Sequence, residues 1–133
     1  MKTIPDSHEA LLKDETRAFA FLATLMEDGS PQLTPIWFDT DGDLLLLNSA
    51  KGRVKDHNMR ARPRIALLIV DPANPYRYIQ LRGTIIEITE DGAEDHIDQL
   101  NFKYHGEPRY RWHDPAHPRV IYKFRPDKID AHG

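Results

Sequence analysis

The residues AFAFLATLMEDGSPQLTPIWFDTDGDLLLLNS, positions 18–49, decide the fold of this chain. Three apolar runs, at 18–25, 31–38 and 43–49, are separated by two segments that each contain Asp-Gly. Asp-Gly between short apolar runs is a strong signal for a β-hairpin. The stretch therefore predicts three consecutive antiparallel strands.

The rest of the chain adds three strand patterns and three helical ones. Strands are predicted over 64–71, 76–90 and 119–131, helices over 6–15, 52–61 and 91–106, and a loop over 107–118. The last helix has a capping aspartate, Asp91, and ends at Gly106, while Pro126 interrupts or turns the last strand. Gly83, in the longest strand, predicts a bulge of the kind that lets a sheet curl. With antiparallel neighbours and few crossover helices, the sequence predicts a mainly β fold, a six-stranded antiparallel β-barrel with helices.

The bulk composition is that of a globular protein with one domain, residues 1–133. The hydrophobic content is 40% and the charged content 29%, and no apolar stretch approaches the ~20 residues that span a bilayer. The absence of cysteine excludes disulfides, a thiolate nucleophile and Cys-ligated metals. The start of the chain lacks the apolar core of a secretory signal. These features predict a cytoplasmic protein with no membrane partner.

The distribution of charge is the main functional clue. The chain carries a net charge of −3, yet residues 48–64 hold six cations and one acid, Asp56, which makes that segment +5 and the remainder −8. The six cations are Lys51, Arg53, Lys55, Arg60, Arg62 and Arg64. Nucleic-acid binding normally needs a longer basic face, so this asymmetry favours a small anionic ligand and argues against a nucleic-acid partner.

The basic segment also contains the start of a predicted helix. If the helix begins near Gly52, then the Ser49 hydroxyl, free backbone N–H groups and the cations Lys51, Arg53 and Lys55 converge at its N-terminus. Such an arrangement binds a phosphate monoester through the helix dipole and charge-assisted hydrogen bonds. The alternative is a set of solvated charges on an exposed helix. The lack of acidic partners and the following Asn58 favour the phosphate site.

The strand at 31–38 is unusually polar on one face. Gln32 and Thr34 share that face with Ile36, and two prolines, Pro31 and Pro35, cannot donate to a ladder. The pattern predicts an edge or a bulge where backbone groups are free to meet a ligand. The alternative is an ordinary edge strand whose Trp37 lies in the core.

Residues 28–72, DGSPQLTPIWFDTDGDLLLLNSAKGRVKDHNMRARPRIALLIVDP, resemble the flavin and deazaflavin oxidoreductases of the pyridoxamine 5′-phosphate oxidase superfamily. The similarity is strongest to the subgroup that binds the deazaflavin coenzyme F420. Its most specific part is G-x-P-Q-x-T-P-x-W followed by N-x-x-x-G-R-x-K-x-x-N-M-R-x-x-P-R. The resemblance implies a six-stranded split barrel that uses coenzyme F420 to transfer hydride to or from a small organic substrate. The alternatives are an FMN-dependent oxidoreductase and a flavin- or deazaflavin-binding protein without turnover.

The resemblance also implies a set of cofactor-binding residues. Arg53 and Lys55 match the pair that holds the cofactor phosphate, and the surrounding shell comprises Asn48, Ser49, Lys51 and Asn58. The strand under the ring contributes Gln32, Thr34, Pro35 and Trp37. The family is dimeric with the cofactor between subunits, which implies a homodimer whose partner chain contributes Tyr78 and Gln80. No catalytic residue is assigned, because the cofactor carries hydride chemistry.

The longer tail of coenzyme F420 carries several anionic groups and needs cations beyond those that hold a single phosphate. The candidates in the sequence are Arg60, Arg62, Arg77, Arg109 and Arg111.

The segment 107–117 holds two histidines and several aromatic residues. Pro115 prevents His113 and His117 from sharing a helical face, so a metal site is not predicted and both side chains are expected in solvent. The aromatic residues are Tyr110, Trp112 and, just before the segment, Tyr104. Together with Arg109 and Arg111 they predict either a lid over the substrate pocket or packing at a dimer interface.

Overall fold

The computed structural model describes residues 4–133, and the first three residues of the N-terminal stretch discussed above lie outside it. The strands are β1 Ala20–Leu25, β2 Pro31–Ile36, β3 Phe38–Asp41, β4 Leu44–Ala50, β5 Arg64–Asp71, β6 Asn74–Thr89 and β7 Arg119–His132. The helices are α1 Val54–Ala61 and α2 Ala93–His105, and two 3₁₀ turns, Asp6–Leu12 and Asp14–Thr16, precede β1.

The seven strands form one antiparallel sheet in the order β2-β1-β5-β6-β7-β4-β3. The chain passes from β2 at one edge to β3 at the opposite edge with Trp37 as the single intervening residue. Such a short connection requires the sheet to curl until its two edges approach each other. The fold is therefore the predicted mainly β, antiparallel split barrel.

The strand count of six is corrected to seven, because the strand predicted over 31–38 breaks at Trp37. Its first part pairs with β1, with Thr34 opposite Leu22. Its second part pairs with β4, with Phe38 opposite Leu47, and continues through residues predicted as a turn. One run of sequence thus serves both sheet edges, which neither hydropathy nor turn propensity can reveal.

The helical predictions hold with small shifts at their starts. The N-terminal segment forms 3₁₀ turns, and α1 begins two residues after Gly52, whose φ of +91° lies in the left-handed region. The N-terminus of α2 is capped by Gly92 and not by an aspartate side chain. The predicted C-terminus at Gly106 is confirmed, with φ +74°.

The bend predicted at Gly83 is confirmed. The pairing of β6 with β7 shifts register there, since Arg82 lies opposite Lys128 and Gly83 lies opposite Pro126. A Cβ at Gly83 would lie 2.0 Å from the carbonyl oxygen of Arg125, so a side chain cannot fit. Pro126 itself does not interrupt β7, which is continuous.

The barrel interior is filled by alternate residues of the strands. Its largest fully buried side chains include Phe38, Leu45, Leu47, Leu67, Leu81, Tyr122 and Phe124. A smaller apolar cluster forms where α2 covers the barrel, with Ile97, Leu100 and Tyr104 against Trp37 and Tyr110. Within residues 4–133 no helix has the length and apolarity needed to cross a bilayer.

Candidate functional site

A cavity of about 210 Å³ lies between the C-terminal part of β4, the start of α1 and the residues around Trp37. It is lined by Phe19, Pro35, Ile36, Trp37, Asn48, Ser49, Arg53, Lys55, Ile97, Tyr110 and Arg119. Apolar and aromatic side chains form one part of the wall, while cations and a hydroxyl form the other. Six of the residues predicted from the sequence are in this lining.

Three cations of this cavity, Arg53, Lys55 and Arg119, form what we call the cation cluster. Within residues 4–133 neither Arg53 nor Lys55 has an ion pair with a carboxylate. Burial, together with the charges of Arg53 and Arg119, lowers the pKa of Lys55. An anion bound here would relieve both the desolvation and the mutual repulsion.

The hydroxyl of Ser49 provides independent support for a ligand at this position. The residue is 2% exposed, and its Oγ has no hydrogen-bond partner in the described part of the chain. A buried hydroxyl without a partner costs about 1–3 kcal/mol, so native structures rarely retain one. A phosphate oxygen in the cavity would accept the missing hydrogen bond. Thr34 Oγ1 is also without a partner in residues 4–133, but Thr34 is not in the cavity lining.

Arg119 is a residue of the candidate site that sequence reasoning missed. It is 7% exposed, and its guanidinium lies 5.3 Å from the ring centroid of Tyr110. Burial lowers the pKa of Arg119, and Arg53 adds to that effect. The antiparallel pairing of Ala50 with Arg119 brings the end of β4 and the start of β7 together. The only sequence signal was a lone arginine at the start of the last predicted strand.

Two predicted site residues, Asn48 and Asn58, are already hydrogen-bonded within the fold. Asn58 donates to Thr24 Oγ1 over 3.0 Å and does not line the cavity. Asn48 lines it, but its amide donates to Ala93 O over 3.0 Å and accepts from Arg119 Nε over 2.8 Å. Asn48 therefore holds Arg119 in place.

The basic segment is not free of acidic partners, contrary to the expectation from the sequence. Lys51 forms an ion pair with Glu90 over 3.1 Å, and Arg60 forms one with Asp56 over 2.9 Å. The basic segment therefore contains cations with and without a carboxylate partner. Of these four, only Arg53 and Lys55 belong to the cation cluster.

Asp56 anchors the turn that carries the site. It is 1% exposed and accepts hydrogen bonds from Gly52 N–H over 2.9 Å and from the Tyr122 hydroxyl over 2.5 Å, besides the pair with Arg60. Burial opposes ionisation, but these donors outweigh it and hold the pKa of Asp56 below its ordinary value. Burial and the hydrogen bond to Asp56 raise the pKa of Tyr122.

A second cavity, of about 420 Å³, adjoins the first and shares Arg53, Tyr110 and Arg119 with it. Its other lining residues are Ala50, Lys51, Gly52, Trp112, Asp114 and His117. The arginines predicted to extend the site, Arg60, Arg62, Arg77, Arg109 and Arg111, line neither cavity. The additional cation here is Lys51, which is paired with Glu90.

The remaining predicted residues lie away from both cavities. Gln32 Oε1 accepts from Thr24 over 3.1 Å, and Tyr78 stacks on His132 with ring centroids 4.9 Å apart. Tyr78 and Gln80 belong to β6 and lie opposite Val70 and Leu68 of β5.

The loop between α2 and β7 folds back on α2 and places Tyr110 in both cavities. The two ring nitrogens of His113 each lie 2.6 Å from a carboxylate, Glu94 at Nδ1 and Asp98 at Nε2. These hydrogen bonds, first that to Asp98 and then that to Glu94, raise the pKa of His113. The expectation that this histidine is exposed is wrong, although His117 is exposed. No cluster within residues 4–133 could hold a metal ion.

Comparisons with known proteins identify the class of this chain. Residues 4–133 match the family described as pyridoxamine 5′-phosphate oxidase. The chain therefore belongs to that family, whose split-barrel fold binds flavins.

Solved structures give a finer comparison. An F420 reductase is 34% identical with a TM-score of 0.83, over 96% of this chain and 98% of that one. A conserved hypothetical protein from Mycobacterium tuberculosis is 21% identical, with a TM-score of 0.74, over 98% and 85% of the two chains. General stress protein 26 from Bacillus anthracis is 18% identical, with a TM-score of 0.66, over 93% and 92%. The last two show the fold alone. Among proteins with curated functions, none matches this chain.

Proposed function

We propose that this protein is a coenzyme F420-dependent oxidoreductase that transfers hydride between the bound deazaflavin and a small organic substrate. The observation that carries the proposal is the cation cluster, because Arg53 and Lys55 have no carboxylate partner in residues 4–133 and adjoin a buried, unpaired Ser49 hydroxyl. Family membership and 34% identity to an F420 reductase support the same class of cofactor. A cytoplasmic location remains a prediction.

The donors in the first cavity fit a cofactor phosphate. Arg53, Lys55 and Arg119 would supply charge-assisted hydrogen bonds, and the Ser49 hydroxyl would gain the acceptor it lacks. The cofactor supplies the hydride chemistry, while the protein binds it, orients it and limits access of water. Pro35 and Trp37 form the apolar wall that would contact the ring edge.

The second cavity favours coenzyme F420 over FMN. FMN has a single phosphate, for which the first cavity is sufficient. The deazaflavin has a longer anionic tail, and the second cavity extends the space beside the cation cluster, since Arg53 and Arg119 line both cavities. FMN remains the alternative cofactor, and a protein that binds either group without turnover remains the alternative to an enzyme.

We propose a homodimer because one chain supplies only part of the site. A cavity of about 210 Å³ is smaller than the ~300–1,000 Å³ typical of ligand pockets. The outer face of β1 and β2 exposes large apolar side chains, with Phe21 37%, Leu25 40% and Leu33 69% exposed. A partner copy packed on this face would cover it, and Tyr78 and Gln80 on nearby β6 would then approach the partner's cofactor.

A side-by-side titration tests the proposed cofactor. Purified protein is titrated with coenzyme F420 and with FMN by calorimetry, and light scattering gives the mass of the particle. We expect tighter binding of coenzyme F420, one cofactor per chain and a dimer mass. Tighter binding of FMN would identify the flavin alternative, and binding of neither would reject the proposal. Reduced cofactor incubated with panels of small organic acceptors then separates an enzyme from a carrier.

A further inference from the structure

A chain of hydrogen bonds between buried and partly buried side chains runs from the cation cluster to the other side of α2. Arg119 Nε donates to Asn48 Oδ1 over 2.8 Å, Asn48 Nδ2 lies 3.0 Å from His96 Nδ1, and His96 Nε2 lies 2.8 Å from Asp39 Oδ1. Arg119, Asn48 and His96 are 7%, 3% and 5% exposed. Asp39 lines a separate cavity beside α2. We call these four residues the Arg119 relay.

The direction of every hydrogen bond in the relay is fixed from its two ends. Arg119 Nε can only donate and Ala93 O can only accept, so the Asn48 amide must turn Oδ1 to the arginine and Nδ2 to the carbonyl. Nδ2 then also donates to His96 Nδ1, which must be unprotonated. The ring proton of His96 is therefore on Nε2 and is donated to Asp39.

A second proton on His96 is incompatible with this arrangement. An Nδ1–H group would face the Asn48 NH₂ group, so two donors would oppose each other. Rotating the amide would restore that contact but turn NH₂ toward Arg119 and Oδ1 toward Ala93 O. Either outcome leaves buried polar groups unpaired, and the hydrogen bond that holds Arg119 is lost in the second.

We propose that His96 is a positioning residue for the anion site: with Asp39 and Asn48 it directs the Arg119 guanidinium at the anionic group of the cofactor. A second proton on His96 frees the Arg119 side chain and thereby weakens the binding of that anionic group. This inference rests on the proposed function. Because the coupling is reciprocal, a bound anion also opposes protonation of His96. The protein would thus bind its cofactor less tightly when His96 is doubly protonated.

The charged groups around His96 come from several elements. Asp39 of β3 contacts the ring, Arg119 of β7 contacts Asn48, and Lys103 of α2 interacts electrostatically with Asp39. Lys103 Nζ in turn lies 3.8 Å from Asp14 of the second 3₁₀ turn, which partly offsets its charge. On the Arg119 side, Glu94 of α2 accepts a hydrogen bond from the Arg119 backbone N–H.

The first experiment uses the protein without cofactor. Imidazole and guanidinium ¹⁵N spectra are recorded from pH 5 to 9, with His96→Gln used only to assign the resonances. We expect neutral His96 as the Nε2–H tautomer and an Arg119 Nε–H signal protected from exchange. That protection disappears in the same pH step in which His96 takes up its second proton. Two results would contradict the proposed relay: an Nδ1–H tautomer of neutral His96, or an Arg119 Nε–H signal that stays protected when His96 takes up its second proton.

The second experiment measures the affinity for coenzyme F420 and for FMN against pH in three proteins. In wild type, affinity falls about tenfold or more in the step seen by NMR. Asp39→Asn keeps an acceptor for His96 but removes the negative charge beside the ring, so the step moves to lower pH. Asp41→Asn, an exposed residue of the same strand, is the matched control and leaves the step in place.

Comparison of these variants cancels any titration of the ligand phosphate itself. A step that Asp39→Asn does not move, or that Asp41→Asn moves equally, overturns the relay even if the cofactor assignment is right. Failure of wild type to bind either cofactor at any pH rejects the proposed function instead. The relay is then still decided by the spectra of the cofactor-free protein.

Discussion

The basic segment contains two kinds of cation that the sequence does not distinguish. Lys51 and Arg60 have acidic partners, in Glu90 and Asp56, and Arg60 is fixed to the turn it helps to hold. Arg53 and Lys55 have no carboxylate partner within residues 4–133, and they share a cavity with the buried Arg119. The two cations left for a ligand, Arg53 and Lys55, therefore lie in the sequence between two cations that have acidic partners, Lys51 and Arg60.

The difference shows which cations lower the stability of the cofactor-free fold and are available to bind a ligand. A solvated or paired cation costs little, but half-buried Lys55 is repelled by two arginines and loses hydration. A bound anion would compensate for this cost. The following predictions test whether the two kinds of cation are as separate as the structure indicates, from the largest expected effect to the smallest.

Removal of the central anchor should affect stability most. Asp56→Ala leaves the Gly52 N–H and the Tyr122 hydroxyl without their acceptor, so we expect a loss of about 3 kcal/mol in the free energy of unfolding. Urea denaturation measures this loss. The control is Asp41→Ala at an exposed position, whose free energy of unfolding should stay within about 0.5 kcal/mol of wild type.

The pH dependence follows from the lowered pKa of Asp56. A depressed carboxyl pKa contributes stability above the unfolded value, about 3.9, and that contribution is lost as pH falls through the folded pKa. Wild type should therefore lose stability below about pH 4 more steeply than the Asp56→Ala variant does. Equal acid sensitivity of the two proteins would contradict the anchor assignment.

One matched pair of variants should distinguish the two kinds of cation by their effects on cofactor affinity and on stability. Arg53→Ala should weaken cofactor binding by about 2–3 kcal/mol and leave the unfolding free energy nearly unchanged. Arg60→Ala should reverse the pattern, with a loss of about 1 kcal/mol in stability and unchanged affinity, because it removes a donor to buried Asp56. Calorimetric titration and urea denaturation of both variants measure these effects. Loss of affinity in Arg60→Ala would show that the cation cluster extends further.

At Lys55 we expect smaller effects, which have opposite signs for stability and for cofactor affinity. Lys55→Met removes a desolvated charge from two neighbouring arginines, so the cofactor-free protein should gain about 0.5–1 kcal/mol of stability while cofactor affinity falls by about 1–2 kcal/mol. Because the folded pKa of Lys55 is lowered, the penalty is present at neutral pH and decreases as pH rises through that pKa. The stability gain should therefore shrink in alkaline buffer. Destabilisation of the cofactor-free variant at neutral pH would argue against a strained cation.

The smallest effect concerns the loop that carries Tyr110. His113 is about one-fifth exposed and lies between Glu94 and Asp98, which raise its pKa. The resulting stability, about 1 kcal/mol or less, is fully present below the unfolded value of about pH 6.5 and is lost as pH rises through the folded pKa. His113→Asn should be less stable than wild type at pH 5.5 and similar to it at pH 9. A difference that is the same at both pH values would contradict an imidazolium in this position.

Local sequence was sufficient for the elements of the fold and for six of the residues that line the first cavity. Two Asp-Gly turns, the bulge at Gly83 and the helix end at Gly106 each depend on neighbouring residues, so their patterns are readable. The break at Trp37 could not be predicted in this way, because it results from pairing with two different edges of the sheet. Asn58 had the right spacing for a ligand residue but is directed to Thr24, which a linear pattern cannot show.

The sequence by itself determined a curled antiparallel sheet and predicted where along the chain an anion would bind, because turn chemistry, hydropathy and local charge are short-range properties. Only the tertiary structure decided which cations remain unpaired and that Arg119 joins them, since β7 meets β4 through backbone pairing between distant residues. The Arg119 relay likewise brings together β3, β4, α2 and β7. Hydrogen-bond complementarity between buried groups depends on three-dimensional contact and leaves no periodic trace in the sequence.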